Sequence, residues 1–530
     1  MKGLVRGLFL AAALIAAPQA GAWAETPKDT LVIGKNIDDI ITLDPAEMYE
    51  LSTSEFLVNI YDRLMGLEPG DMKTRVPTAA ESYKVSDDGK TYTFVLKPNL
   101  FFHSGNPVTA EDVAFSLSRV IKLALTPAYI FDPLGWTPET VDGMLKVVDA
   151  RTIEITIGEA LAPSYVLNLF STVTSSIVDK QEALAHEVNG DLGHEWLKTN
   201  TAGSGSFKLR AWKPNESVVL DRDDKAWRGV PAIKRIIIRH IAEPASQRLQ
   251  LEKGDIDIAL NLSSDQAAGL EGNSDIAIDP APKATINYLG LNQKVPELAN
   301  PKVWEALRWA VDYQGMTDSF LKGRFMVNQS FWPAGFFASL EENPYHLDIA
   351  KAKALLAEAG YPKGFTIDFD APSSAPFNEV AQSIQATFAQ AGVTVNIIPA
   401  EAKQVLTKYR ARTHGMVVMY WGPDFFDPHS NAGSFAYNPN NADDATSKPL
   451  AWRNAWDIPE ITAETLAALK EPDTEKRKAL YLDLQRKLQA NSPYIFLFQE
   501  VELVARRATV QGYFSGPGAD LVYYRGVTKQ

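Results

Sequence analysis

The 530-residue sequence contains no cysteine. This absence excludes disulfide bonds, thiolate metal sites and cysteine nucleophiles. It also excludes the lipid anchor of bacterial lipoproteins, which is attached to a cysteine just after the apolar part of the signal sequence. A chain of this length can bury a core large enough to fold without disulfides, so the absence is compatible with export to a periplasm.

Long hydrophobic runs are also missing, apart from one short run near the amino terminus. Residues 8–17 (LFLAAALIAA) are apolar, Lys2 and Arg6 precede them, and a small-x-small cleavage site (AWA) follows at 22–24. This is the pattern of a secretory signal peptide, and the run is too short to cross a bilayer, which needs about 20 residues. We therefore expect cleavage after Ala24 and a soluble periplasmic protein without a lipid anchor.

Positive charge is scarce, since 52 lysines and arginines stand against 65 aspartates and glutamates, a formal net charge of −13 at pH 7. Loss of the signal peptide, residues 1–24, removes two cations and no acid, which leaves about −15. A surface of that sign argues against binding to nucleic acid or to anionic membranes. The remaining length of about 506 residues predicts two or three domains at roughly 150 residues each.

Motifs of the common enzyme classes are missing as well. Residues 203–207 (GSGSF) lack the order of a G-x-S-x-G nucleophile elbow, His186-Glu187 lacks the second histidine of H-E-x-x-H, and no glycine-rich phosphate loop occurs. No pair of carboxylates stands out as the acid and base of a glycosidase. We therefore predict that the protein is not an enzyme, with a secreted hydrolase as the distant alternative, and that it uses no cofactor.

The patterns that are present predict an α/β protein. Short strands are predicted at residues 30–34, 83–85, 91–97, 217–221 and 236–241. Amphipathic helices are predicted at 348–360, 378–392 and 474–490, and apolar strands at 393–398 and 494–498 follow the last two. This alternation from about 285 to 500 predicts an α/β domain with a largely parallel sheet.

The most informative segment is residues 416–428 (MVVMYWGPDFFDP). Its first residues are typical of a buried strand, and ligands bind beyond the carboxyl ends of such strands. Asp427 before Pro428 has the pattern of a helix N-cap followed by proline at the first helical position, so we expect its replacement by asparagine to change stability by less than about 1 kcal/mol. For Asp424 no such local role is visible, so it either organises the turn or binds a ligand. An acid among aromatic residues needs a cationic partner, because an unpaired buried charge is costly.

Several phrases in series carry a resemblance to a known family. They lie at residues 31–64, 102–117 (FHSGNPVTAEDVAFSL), 203–223, 251–259 (LEKGDIDIA), 288–312, 352–365 (AKALLAEAGYPKGF), in the WGPDFFDP loop and at 491–504. In this order they resemble the family 5 extracellular solute-binding proteins, the dipeptide-, oligopeptide- and nickel-binding receptors of bacterial ABC importers. The resemblance spans essentially the whole chain after the signal peptide.

The resemblance implies a two-lobed periplasmic-binding-protein fold with an extra inserted subdomain. Lobe I would comprise residues 25–60, 201–283 and 498–530, together with a subdomain inserted in it at residues 61–200. Lobe II would comprise residues 284–497. Two hinge strands, near 284–292 and 494–500, would join the lobes. A ligand held by both lobes is fully bound only in the closed state, so it shifts the population toward closure.

The resemblance also implies a ligand-binding site. In peptide-binding members, an aspartate three residues before an Asp/Glu-Pro pair binds the α-ammonium group of the peptide, and Asp424 holds that position here. Trp421 and Tyr420 would form the wall of the pocket, where an aromatic face adds about 0.5–2 kcal/mol to the binding of an ammonium group. Tyr49 matches a lobe I position that often contacts the ligand. The alternatives are core packing for Trp421 and Tyr420 and a plain surface position for Tyr49.

One position departs from the pattern of the dipeptide-binding members. These carry an arginine before a Pro-Tyr-Asn segment, where this sequence has Ala375 before Pro376-Phe377-Asn378. A methyl group cannot replace a bidentate guanidinium–carboxylate clamp. A free dipeptide is therefore disfavoured, whereas longer, amidated or lactam-like peptides, opines, oligosaccharides and a nickel chelate stay open as ligands.

The remaining expectations concern metals and partners. His429 follows Pro428 as in the nickel-binding members, but these lack an acid at the position of Asp424. We expect His429 to be a solvated residue at a helix start and the protein to hold no metal of its own. The predicted partners are a small-molecule or peptide ligand and the membrane permease subunits of an ABC importer. We expect a monomer that binds no nucleic acid and is not embedded in the membrane.

Overall fold

A computed structural model describes residues 26–530, so the predicted signal peptide lies outside the described residues. The β-strands are β1 Thr30–Lys35, β2 Met65–Glu68, β3 Asp71–Pro77, β4 Ala80–Val85, β5 Thr91–Leu96, β6 Leu145–Val147, β7 Thr152–Thr156, β8 Phe207–Lys213, β9 Ser217–Arg222, β10 Arg235–His240, β11 Ile258–Ala259, β12 Ile276–Leu291, β13 Phe325–Val327, β14 Phe365–Pro372, β15 Val393–Ala400, β16 Met416–Trp421, β17 Tyr494–Arg507, β18 Val510–Gln511 and β19 Thr528–Lys529.

Helices separate most of these strands. The α-helices are α1 Leu51–Ile60, α2 Ala110–Leu123, α3 Val141–Met144, α4 Pro163–Leu169, α5 Lys180–Ala185, α6 His194–Leu197, α7 Pro244–Lys253, α8 Ser264–Ala268, α9 Pro301–Trp309, α10 Tyr313–Asp318, α11 Ile349–Glu358, α12 Phe377–Ala391, α13 Ala402–Arg410, α14 Pro428–Phe435, α15 Leu450–Arg453, α16 Pro459–Lys470 and α17 Thr474–Ala490. Short 3-10 helices lie at Thr126–Leu134, Val173–Ser175, Pro296–Ala299 and Ala519–Leu521.

The predicted helices form where capping residues and apolar spacing favour them. α17 has the predicted range, and the side chain of Asp473 caps its first turn. α12 ends before Gly392, whose φ of 102° is a left-handed conformation that favours glycine. At the start of α2, the Asp112 carboxylate accepts the backbone N–H of Thr109 at 2.8 Å, which is half of a capping box.

The largest sheet is mixed and has 11 strands. Its order is β15-β14-β16-β12-β17-β11-β1-β10-β9-β8, and β13 also pairs with β17. The long strands β12 and β17 are antiparallel and shift register between Pro282 and Ile286. On one side of this shift β17 pairs with β11, and on the other side β12 pairs with β16. These two strands therefore join the half of the sheet around β1 to the half around β14.

The prediction of a largely parallel sheet between residues 285 and 500 is wrong in part. β14 is parallel to both β15 and β16, and the helices α12 and α13 supply the crossovers that such strands require. β12, however, is antiparallel to β16 and to β17. The parallel pairing stops at β16 because its next neighbour in the sheet is β12. β12 and β17 cross between the two halves of the sheet in opposite directions, so each is antiparallel to the strand beside it. The α/β class itself is confirmed.

The two halves of the sheet and the segment of residues 64–170 have separate hydrophobic cores. One core surrounds β12 and β14–β17, and a second surrounds β1, β8–β10 and α1. A further core is built largely from residues 64–170 around the four-stranded sheet β4-β5-β7-β6. Phe425 and Leu469, from the later part of the chain, pack into this further core. The loop that carries the predicted site is therefore anchored in a core formed by distant residues.

No single helix among residues 26–530 is long and apolar enough to cross a membrane. The helices α2 and Thr126–Leu134 reach that length and composition only when they are taken together, and they are bent by 112° relative to each other.

Candidate functional site

The loop after β16 is held at both ends by regular structure. β16 pairs with β12 on one side and with β14 on the other. At the other end, the Asp427 side chain accepts the backbone N–H of His429 at 2.9 Å, and Pro428 opens α14. The predicted N-cap role of Asp427 is therefore confirmed. Within the loop, the backbone N–H of Asp424 donates to Ser430 Oγ at 2.9 Å, which ties its middle to the same helix.

The Asp424 carboxylate is hydrogen-bonded to tyrosine and has no cationic partner within residues 26–530. Tyr49 Oη donates to Asp424 Oδ1 at 3.0 Å, and the hydroxyl oxygens of Tyr49 and Tyr129 lie 2.9 Å apart. Burial raises the pKa of Asp424, and hydrogen bonds from Tyr129 and Tyr49 oppose that rise. In the part of the chain that the structure describes, no lysine, arginine or histidine pairs with this carboxylate. The site thus combines a negative charge with a shortage of positive charge.

Two tyrosines from the first part of the chain reach this loop. Tyr49 lies just before α1, Tyr129 lies in the helix Thr126–Leu134, and their rings meet at 65° with centroids 6.2 Å apart. Burial and the charge of Asp424 raise the pKa of Tyr49 to about 12, so its hydroxyl is a donor at neutral pH. Tyr49 was a predicted site residue, and it touches Asp424 directly. No sequence pattern marks Tyr129, because a tyrosine in a short 3-10 helix has no local signature of binding.

The two predicted aromatic wall residues have other neighbours. Tyr420 is 54% exposed, and its ring centroid lies 5.9 Å from that of Phe377. Trp421 is half-buried and packs edge-on against Phe435 with centroids 6.3 Å apart. Its Nε1 has no hydrogen-bond partner among the described residues. Since an unpaired buried N–H is costly, Trp421 can donate to a ligand, although its packing against Phe435 also fits the core-packing alternative.

Asp427 has a second role that the sequence does not predict. Arg477 of α17 binds it with two hydrogen bonds, from Nη1 to Oδ2 at 2.8 Å and from Nη2 to Oδ1 at 2.7 Å. The side chains are 1% and 0% exposed. Burial by itself would raise the pKa of Asp427, but the charge and hydrogen bonds of Arg477 outweigh it and lower the pKa. The expectation that asparagine at 427 changes stability by less than about 1 kcal/mol does not take this buried partner into account, so we expect a larger loss of stability.

Helix α4 covers this ion pair. Asn168 Nδ2 donates to Asp427 Oδ2 at 3.3 Å, and Arg477 Nη1 also donates to Ser164 Oγ at 3.1 Å. The ring of Tyr165 lies edge-on to Phe425 at 5.5 Å. The segment Pro163–Leu169 thus contacts the loop at Phe425 and Asp427.

His429 is not the solvated residue that the sequence predicts. Its Nδ1 lies 3.0 Å from Tyr481 Oη, and its ring packs edge-on against Tyr165 with centroids 5.6 Å apart. Burial lowers its pKa to about 4, so the imidazole is neutral at neutral pH. The difference arises because α4 and α17 cover the start of α14. Across residues 26–530 no three histidine, aspartate or glutamate side chains are grouped to hold a metal ion.

A cavity of about 470 Å³ adjoins the loop through Gly422, Pro423 and Phe426. Its other walls come from the end of β1, the start of α1 and the centres of β12 and β17. The charged residues that line it are Lys35, Asp38, Asp39, Glu55, Lys283, Arg324, Glu500 and Glu502. The volume is that of a small-molecule site, roughly 300–1,000 Å³, and the excess of acids favours a ligand that carries positive charge.

Comparisons with known proteins agree with this geometry. The family model described as "Bacterial extracellular solute-binding proteins, family 5 Middle" matches residues 74–443. The probable D,D-dipeptide-binding periplasmic protein DdpA of Escherichia coli (strain K12) is 29% identical over 512 residues, which cover 95% of this chain and 94% of that protein.

Two solved structures are similar over nearly the whole chain. The structure of HbpA2 from Haemophilus parasuis has a TM-score of 0.81 and 24% identity and covers 94% of this chain and 100% of its own. The periplasmic binding protein DppA from Helicobacter pylori, in complex with the peptide STSA, has a TM-score of 0.73 and 24% identity and covers 94% of this chain and 98% of its own. The predicted two-lobed periplasmic-binding-protein fold is therefore confirmed.

Proposed function

Because the chain belongs to the bacterial extracellular solute-binding proteins of family 5, we propose that it captures a peptide or another amine-bearing solute between its two lobes and delivers it to an ABC importer. The receptor acts in the periplasm, free of a lipid anchor, after removal of residues 1–24. Its partners are the solute and the permease subunits of the importer. It acts as a monomer and is not an enzyme.

The observation that carries this proposal is the state of Asp424. Its carboxylate accepts a hydrogen bond from Tyr49, whose hydroxyl oxygen lies 2.9 Å from that of Tyr129, and it lacks a cationic partner among the described residues. Neutral donors compensate a buried negative charge only in part, whereas an ammonium group compensates it fully. A ligand ammonium beside Asp424 completes the site, with Trp421 Nε1 as a further donor and Tyr420 at its rim.

The lobes are assigned with the bounds given above: lobe I at 25–60, 201–283 and 498–530, the inserted subdomain at 61–200 and lobe II at 284–497. With this assignment Asp424 lies in lobe II, Tyr49 in lobe I and Tyr129 in the inserted subdomain. The hydrogen bond from Tyr49 to Asp424 then crosses between the lobes, so it exists only in a closed state. The register shift in β12 between Pro282 and Ile286 supplies an irregular stretch at which the connection can bend.

A second candidate is a non-peptide ligand in the same transport role, such as an opine, an oligosaccharide or a nickel chelate. Ala375 favours this candidate over a free dipeptide, because a methyl group cannot bind a terminal carboxylate. Phe377, two residues later, packs beside the exposed ring of Tyr420, so this segment lies next to a predicted wall of the pocket.

The proposal is tested with the mature protein and a panel of peptides, opines, amines and oligosaccharides. A bound ligand raises the melting temperature, since a solute that binds only the native state stabilises it by RT ln(1 + [L]/Kd). Small-angle scattering with the same ligand is expected to give a smaller radius of gyration. Mass spectrometry of solute retained during purification identifies the natural ligand. A panel without any thermal shift, together with no retained solute, would speak against a receptor.

A further inference from the structure

We propose that Arg324 binds a carboxylate group of the ligand inside the cavity, in place of the arginine that is missing at Ala375. The inference rests on the proposed receptor function and narrows its ligand class. The ligand would carry an ammonium group for Asp424 and a carboxylate for Arg324, as a peptide or an amino-acid conjugate does.

Arg324 is placed at the hinge by backbone pairing. It immediately precedes β13, in which Phe325 pairs with Glu500 of β17. The backbone N–H of Val501 donates to the carbonyl oxygen of Arg324 at 2.7 Å. Val501 lies opposite Pro282, at the register shift of the central strands. The guanidinium therefore projects from a fixed backbone position and lines the cavity.

The other two cations that line the cavity, Lys35 and Lys283, already form ion pairs with acidic residues. Lys35 forms an ion pair with Glu55 in which both side chains are largely buried. Lys283 Nζ lies 2.8 Å from Glu502 and also donates to Ser515 Oγ at 2.7 Å. A ligand carboxylate would have to break these contacts in order to bind either lysine.

Arg324 differs from both lysines because its pairing is weak. Its Nη2 lies 3.8 Å from Glu500 Oε1, beyond hydrogen-bond distance. Burial raises the pKa of Glu500 even though the charge of Arg324 acts against it, which is the behaviour of an incompletely compensated pair. The planar guanidinium can hold a carboxylate with two parallel hydrogen bonds. Among the described residues, no acid lies closer to it than Glu500 at 3.8 Å.

The experiment uses alanine peptides of two to five residues, in L and D forms, each as the free acid and as the carboxyl-terminal amide. Calorimetry measures their binding to the wild-type protein and to the variants Arg324→Gln, Arg324→Lys and Arg486→Gln. Arg486 is the matched control, because it pairs with Glu342 at 3.0 Å on the surface and does not line the cavity. Unliganded melting temperatures within about 2 °C of wild type show that the variants are folded.

We expect the wild-type protein to bind the acids at least about tenfold more tightly than the amides, as a charge-assisted contact predicts. Arg324→Gln is expected to weaken acid binding by about 10- to 100-fold and amide binding by less than about threefold, which removes the preference. Arg324→Lys should keep part of the preference, since it keeps the charge but not the planar fork, and Arg486→Gln should keep all of it.

Equal binding of acids and amides by the wild type, or an acid preference that survives Arg324→Gln, would overturn this inference and leave the receptor function intact. Loss of both acid and amide binding in a folded Arg324→Gln variant would also overturn it, because the residue would then shape the cavity rather than bind a carboxylate. If no alanine peptide binds the wild type while another solute of the panel does, the proposed ligand class is wrong but the transport role stands.

Discussion

Replacement of Asp427 by asparagine tests whether this residue is only a helix cap. Asparagine keeps an oxygen that can accept the backbone N–H of His429, so the cap is retained. The charge is lost, however, and Arg477 remains buried at 0% exposure with no carboxylate opposite its two hydrogen-bonding nitrogens. Breaking a buried ion pair on one side typically costs about 3–5 kcal/mol. We therefore expect Asp427→Asn to lower the free energy of unfolding by about that amount.

The assay is urea denaturation of the mature protein at pH 7, followed by circular dichroism. Asp473→Asn is the matched control, because Asp473 caps α17 by accepting the N–H of Lys476 at 2.9 Å without a buried cation. For that variant we expect a loss below about 1 kcal/mol. A double variant, Asp427→Asn with Arg477→Met, removes both charges and should recover part of the lost stability, since the unpaired charge causes most of the cost.

An Asp427→Asn variant as stable as Asp473→Asn would refute this reasoning. It would mean that Arg477 finds another partner or water once the carboxylate is neutralised. A double variant less stable than Asp427→Asn alone would show that the packing of Arg477 matters more than its charge.

Two further predictions rest on the structure, and a third rests on the sequence of residues 1–24. Asp424→Asn is expected to weaken the binding of a cationic solute by about 2–4 kcal/mol with little change in melting temperature, and titration calorimetry that finds unchanged affinity would remove Asp424 from the site. The pKa of His414 is lowered to about 4 by burial, against about 6.5 in an unfolded chain. Between these values only the unfolded state binds the proton, so stability should fall by about 1.4 kcal/mol per pH unit as the pH decreases. His414→Gln should reduce that slope in denaturation curves at pH 4.5 to 6, roughly the middle of that window, and an unchanged slope would contradict the lowered pKa. Mass spectrometry of the exported protein should give a chain that begins after Ala24, whereas an intact or acylated amino terminus would exclude that cleavage.

Several elements could be predicted because their causes are local. The range of α17 follows from its apolar spacing, and the N-cap role of Asp427 follows from the proline after it. The apolar spacing and the capping pattern act over one or two helical turns, so their effect does not depend on the surrounding fold. The direction of strand pairing is different. The antiparallel pairing of β16 with β12 depends on the path of β12 and β17 through the whole molecule, and no short segment of the sequence contains that path.

The α/β class, the series of motifs that indicates the family, and the position of the loop with its two aspartates could all be established from the sequence. The residues that these aspartates contact could not, because they depend on the tertiary structure. Asp424 meets Tyr49, 375 residues earlier in the chain, and Asp427 meets Arg477, 50 residues later. The physical reason is that hydrogen bonds and ion pairs depend on distances of a few ångströms between side chains. Those distances are set by the packing of separate cores, not by any local property of the residues that meet.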